Sequence, residues 1–212
     1  MDDAAFDRAL IAAAFQLAAE QGWRRVSVAA AARAAGLPLA RARERFAGRT
    51  SLLLRFGRLA DQAALAETPP DGTTRDRLFD LVMRRIDALQ AHRAGVLALL
   101  RALPADPPTA LLLTLATRRS MRWLLQAAEI PTGGINGELR VKGLMAAWLW
   151  TIRAWRGDET EDLSATMAAL DVALQRAEQA AEWLGWRARP EPASPEPPYP
   201  DLPEPSPPEP AA

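Results

Sequence analysis

The sequence predicts an all-α protein: a three-helix helix-turn-helix unit at the N-terminus, a longer C-terminal helical bundle and a disordered proline-rich tail. Three observations predict it. Between Ser27 and Phe46 the chain reads SVAAAARAAGLPLARARERF, two short runs of helix formers around a Gly-containing turn, and that spacing is the mark of a helix-turn-helix. From Arg75 to Trp186 apolar residues recur at three- and four-residue steps over several segments of helical length. Beyond Arg187, eleven of the last 25 residues are proline and few are apolar, so that stretch cannot bury a core.

Each element follows in order. Ala4 to Gln21 is predicted as the first helix, with Phe6, Leu10, Ala13, Ala14 and Leu17 as its apolar stripe. Gly22 ends it and Trp23 anchors the connector. Ser27 is placed to cap the second helix, Gly36 to stop it in a left-handed conformation, and Pro38 to sit just inside the start of the third. A fourth helix is expected from Thr50 to Glu67 through Leu52, Leu53, Phe56 and Leu59. ETPPDGTT then reads as a loop between head and body. The body is expected to hold helices over Arg75–Leu89, Val96–Leu103, Thr109–Ile130, Leu139–Arg156 and Leu163–Trp186, broken by ALPADPPTA, by the glycine-rich loop PTGGINGE and by an acidic turn at Asp158–Asp162. The resulting division is 1–66, 75–187 and an acidic tail 188–212.

Composition limits the partners. The chain has 212 residues, 49% hydrophobic, with 26 basic and 26 acidic side chains, so bulk charge names nothing. Its distribution is uneven: residues 1–60 carry ten Arg against five acids, the final 25 one Arg against five acids. A basic head on a neutral chain points to nucleic acid. There is no Cys and one His, His92, which removes thiolate chemistry, leaves no partner for a metal site or triad, and makes His92 a structural or solvent-facing loop residue. No phosphate-cradling glycine loop and no paired carboxylates within an apolar helix are present, so no enzyme and no cofactor are expected. No stretch reaches the roughly 18 apolar residues of a membrane span, and the acidic start MDDAAFD is unlike a secretory signal. A cytoplasmic protein is the expectation.

The candidate DNA-binding residues are Ser27, Leu37, Pro38, Arg41, Arg43, Arg45 and Arg49. Arginine presents a planar fork of donors that fits guanine O6 and N7, or a phosphate. Arg41 and Arg45 are four apart and share a face while Arg43 points elsewhere. The expected division gives Arg41 to the groove floor and Arg45 and Arg49 to phosphates, with Arg43 open to either role. Ser27 is a cap and, at a helix N-terminus, could also meet a phosphate.

The first 60 residues resemble the DNA-binding domain of TetR-family transcriptional regulators. The likeness runs through AAAFQLAAEQGWRRVSVAAAARAAGLPLARARERFAGRTSLLLRF in order and without gaps. Pro38 and Arg43 stand where that family usually carries a small or hydroxylated residue and an aromatic one. The resemblance implies a third helix that lies in the major groove of double-stranded DNA and a homodimer formed by the last two long helices. The expected function is a transcriptional repressor whose DNA affinity is modulated by an apolar small molecule bound between the body helices.

Met121, Trp123, Met145, Trp148, Trp150 and Trp155 are the body's prominent side chains. Three readings stay open for them: plain core, a dimer interface, or an apolar ligand pocket between helices. RSMRWLLQAAEI followed by LRVKGLMAAWLWTIRAWRGDETEDLSATMAALD also resembles, more loosely, the TetR-like lipid-binding proteins of ubiquinone biosynthesis. That likeness implies an isoprenoid carrier that binds no DNA. The DNA-reading case rests on the arginines of the third helix being presented to a duplex.

Overall fold

The computed structural model describes residues 1–67 and 72–183; the tail predicted over 188–212, residues 68–71 of the predicted ETPPDGTT loop and the predicted end of the last helix at Trp186 lie outside the described residues. Among the described residues the chain forms nine α-helices and no strands. They are α1 (Asp3–Gln21), α2 (Val28–Ala34), α3 (Leu39–Arg45), α4 (Arg49–Ala64), α5 (Thr74–Gln90), α6 (Arg93–Ala102), α7 (Pro107–Ala127), α8 (Gly134–Gly157) and α9 (Ser164–Trp183). The α1–α2 connector contains one 3-10 turn, Trp23–Arg25.

The head forms around α1. Phe6, Leu10, Ala14, Phe15 and Ala18 of α1 are buried with Trp23, Val26, Ala31, Ala42, Phe46, Leu52, Leu53 and Phe56. The predicted stripe is shifted: Ala13 and Leu17 are only partly buried, whereas Ile11 and Phe15 are core. α1 is covered on a second side, because α6 packs along it. Gly95 makes that approach possible, since a Cβ there would overlap the Phe15 backbone carbonyl. His92, the residue preceding α6, stacks on the Phe15 ring (5.5 Å) and meets Phe56 edge-on. Burial lowers its pKa, so it serves as a neutral packing group.

An ion pair whose arginine is buried and whose carboxylate is partly buried joins α4 to the body. Asp61 of α4 faces Arg85 of α5, and Ser120 of α7 donates to the same carboxylate (2.6 Å). The Arg85 guanidinium lies 5.1 Å from the ring of Trp148 on α8. Arg85 is almost fully buried, and burial depresses its pKa to about 10. At the α8–α9 corner, Asp158 accepts from the backbone N–H and hydroxyl of both Thr160 and Thr166 (2.6 to 3.1 Å).

Several boundaries differ from expectation: α6 begins at Arg93, three residues before Val96, and α7 runs Pro107–Ala127 in place of Thr109–Ile130, so Pro107 and Pro108 open a helix where a break was expected. α8 begins at Gly134, so five of the eight residues of the predicted PTGGINGE loop are helical. Gly137 fits there because a Cβ would overlap the Thr132 backbone. α4 ends at Ala64, three residues early, with Leu65 outside helical geometry.

Removing one partner of a buried pair strands the other charge. Asp61→Ala is therefore expected to cost about 3–5 kcal/mol in denaturant unfolding, far more than an exposed substitution; a loss below 1 kcal/mol would contradict the burial of Arg85 as a charge. Asp158 sets a pH dependence. Burial raises its pKa, but the Thr160 and Thr166 bonds outweigh that and bring it down to about 2. Its stabilising share is present above the unfolded carboxylate value of roughly 3.9 and is lost as pH falls through the folded one. Thermal unfolding from pH 5 to pH 2 should show a falling melting temperature in the native chain and a shallower fall in Asp158→Asn.

Candidate nucleic-acid interface

Ser27 caps α2 by accepting the Ala30 N–H (3.1 Å). α2 closes as a Schellman motif: Gly36 at φ +63° donates to Arg33, and Leu37 donates to the Ala32 carbonyl (2.8 Å). Leu37 is half-buried against the head core, so its first role is to hold the turn. Pro38 is extended (ψ 120°) and precedes α3, one residue outside the position expected for it. α3 then runs across the head with Ala42 buried underneath.

The arginines of α3 divide sharply. Arg41 donates to Asp3 (2.5 Å) and to the Met1 carbonyl (3.1 Å), with its guanidinium 4.6 Å from the Phe6 ring. Arg45 holds Asp7 in a bidentate pair (2.8 and 2.9 Å) and also reaches Asp3 (2.5 Å). Arg55 of α4 completes the set, donating to Asp7 at 2.7 Å. Burial pushes the Asp7 carboxyl up, but Arg45 and Arg55 hold it below the ordinary carboxylate range. Arg41 and Arg45, expected at the groove floor and at a phosphate, are thus held on carboxylates of α1 in the free chain. Their shared face is turned onto α1, where two carboxylates four residues apart meet two guanidinium groups four residues apart.

What α3 leaves in solvent is Leu39, Ala40, Arg43 and Glu44. Beside that face lies an open groove of about 460 Å3, lined by Ser27 and Val28 of α2, Leu39 and Arg43 of α3, and Gly48 and Arg49 at the start of α4. Arg43 makes one weak bond, to the Ala47 carbonyl at 3.5 Å. Arg49 bridges two segments, donating to the Arg24 carbonyl (3.2 Å) and to Asp106, the residue preceding α7 (3.1 Å). Of the seven expected residues, Ser27, Arg43 and Arg49 line one surface; Leu37 and Pro38 build the turn; Arg41 and Arg45 build the head. Arg24, Arg25 and Arg33 are also exposed on the head, and only their excess in the local charge count hinted at them.

The body residues divide too. Met121, Trp148 and Trp155 are core, and Trp155 donates through its indole N–H to Gln90 (2.8 Å). Met145 is half-buried, whereas Trp123 and Trp150 are about half exposed. A second concavity, about 590 Å3, lies between α1, α4 and the α5–α6 turn beside His92. Neither of these two concavities lies among α7, α8 and α9. Met121, Trp148 and Trp155 are buried in the core and line neither of these two concavities.

An all-helical chain with an N-terminal helix-turn-helix carried on a helical body defines a class of architecture. No family model and no curated protein matches the sequence. Solved structures do. A TetR transcriptional regulator from Nitrosomonas europaea ATCC 19718 superposes with a TM-score of 0.67 at 22% identity, over 82% of this chain and 99% of that one. A TetR-family transcriptional regulator from Streptomyces coelicolor gives 0.58 at 23% identity, over 87% of each. A TetR transcriptional regulator from Rhodococcus sp. RHA1 gives 0.50 at 20%, over 82% and 97%. The chain has the TetR-like fold.

The α1–α3 network gives Arg45→Ala a structural effect. It removes a partly buried bidentate pair and leaves Asp7 with Arg55 alone, so the expected loss is about 1–3 kcal/mol in denaturant unfolding. Arg43→Ala should be within about 0.5 kcal/mol of the native chain.

Proposed function

We propose that this protein is a homodimeric, DNA-binding transcriptional regulator of the TetR type. The observation that carries it is the solvent-facing side of α2–α3: a tight turn, a capped helix N-terminus at Ser27, and Arg43 and Arg49 along one open groove. Backbone N–H groups at a helix start and flexible guanidinium groups are the chemistry that phosphates select. A short helix with an exposed Leu, Ala, Arg and Glu can meet base edges, with Arg43 the candidate for guanine or phosphate and Leu39 for a thymine methyl. A cytoplasmic location follows from that role.

The dimer face is assigned to α8 and α9. Leu139, Leu149 and Trp150 of α8 and Val172 of α9 are exposed, and Arg176 of α9 lies over the Trp150 ring at 5.9 Å. Exposed apolar side chains on adjoining long helices suit a self-complementary two-fold contact, in which Trp is a frequent anchor. An apolar effector bound between body helices would shift DNA affinity only by as much as its own binding differs between the two arrangements of the heads.

Binding of purified protein to genomic fragments at physiological salt, followed by sequencing, tests the reading. Recovery of a shared palindromic site supports it, and recovery of none contradicts it. On that site Arg43→Ala is expected to weaken binding by one to two orders of magnitude, the worth of a bidentate base or phosphate contact. Trp150→Asp should lower the dimer fraction in sedimentation without unfolding the monomer; an unchanged dimer would move the interface elsewhere.

A further inference from the structure

Arg49 is held by the body as well as by the head. It is the first residue of α4, in the groove that the proposed function gives to DNA, and its guanidinium is bound on both sides. One arm donates to the Arg24 carbonyl and the other to Asp106 Oδ2 at 3.1 Å. Asp106 belongs to a different part of the chain. It caps α7, accepting the Thr109 N–H at 3.3 Å and the Thr109 hydroxyl at 2.9 Å. Arg49 is about one-third exposed and the Asp106 carboxylate about one-fifth, so the pair sits at the edge of the groove.

A carboxylate with one oxygen turned to an arginine fork presents the same acceptor chemistry as a phosphate oxygen. From the position of this pair we propose that Asp106 is an intramolecular phosphate surrogate that competes with the DNA backbone for Arg49. The proposal rests on the DNA-binding reading and adds its regulation. In the free protein Arg49 ties the start of α4 to the start of α7; on DNA it exchanges Asp106 for a phosphate and the tie opens. DNA binding and the position of α7 against the head are then linked, because what favours the Arg49–Asp106 pair disfavours the complex by the same free energy.

The exchange has a signature in salt dependence. Each phosphate neutralised by the protein contributes about −0.9 to the slope of log K against log salt. In the native chain, freeing Asp106 on binding takes up a cation and offsets part of the contribution of Arg49. Asp106→Asn removes that offset while keeping an oxygen that can cap α7. The test measures affinity of the full chain for a labelled random-sequence duplex across a salt series, for the native protein, Asp106→Asn, Arg49→Ala and the double variant. Expected are affinity for Asp106→Asn raised about two- to fivefold, the worth of one partly exposed ion pair, a steeper slope by up to about one unit, and loss of both effects in the Arg49→Ala background.

Equal affinity and slope for the native chain and Asp106→Asn, with both binding, would overturn the surrogate and leave the DNA-binding reading standing. Binding by neither at any salt would overturn both. Binding by Asp106→Asn alone would support both. Should Asp106→Asn fail to fold, Asp106→Ser keeps a capping oxygen without the charge and is held to the same outcomes.

Discussion

The head depends on one carboxylate. Asp7 is almost fully buried on α1 and takes a bidentate pair from Arg45 of α3 and a third bond from Arg55 of α4. Three helices are thereby fixed by one side chain, in a unit of about 50 residues whose own core would be marginal. α3 is short, and short helices draw little stability from propensity alone. Ala42 beneath it and the Arg41 and Arg45 contacts beside it supply what the backbone cannot. With its inner side so committed, α3 can turn only Leu39, Ala40, Arg43 and Glu44 outward, and that constraint decides which residues are available to a partner.

The same constraint reaches the body through two joints. Gly95 lets α6 lie against α1 at backbone distance, with His92 wedged between Phe15 and Phe56. Asp61 and Arg85 bind α4 to α5, and Ser120 and Trp148 bring α7 and α8 to the same point. A buried pair of this kind adds little net stability over apolar packing but strongly penalises any arrangement that separates it. α4 is therefore held at its start by Arg49 and near its end by Asp61. Packed interfaces of this kind tend to switch between discrete arrangements instead of deforming smoothly.

Much of this was legible in the sequence. The helix-turn-helix was readable because Ser27, Gly36 and the alanine run encode cap, stop and helix by local chemistry, and each acts where it was expected. The orientation of α3 was not, because helical spacing says which residues share a face and not where that face points. A signal did exist. Asp3 and Asp7 repeat at four residues on α1, as do Arg41 and Arg45 on α3, and two such ladders on neighbouring helices can pair rung by rung. The body shows a similar limit: a run of Trp and Met marks apolar helices, but only packing separates the buried Trp148 and Trp155 from the exposed Trp123 and Trp150. The start of α8 was misread because glycine usually signals a loop, whereas Gly137 is needed for close approach to Thr132.

The central claim is that the groove side of α2 and α3 faces a duplex while the Arg41 and Arg45 side faces α1. Amide hydrogen exchange of the full chain, with and without a selected DNA site, tests it most directly. Slowed exchange confined to the starts of α2, α3 and α4, with the first turn of α1 unchanged, is the expected result. Slowed exchange in α7–α9 only, or faster exchange at Asp3–Asp7 as its arginines leave for the DNA, would contradict it.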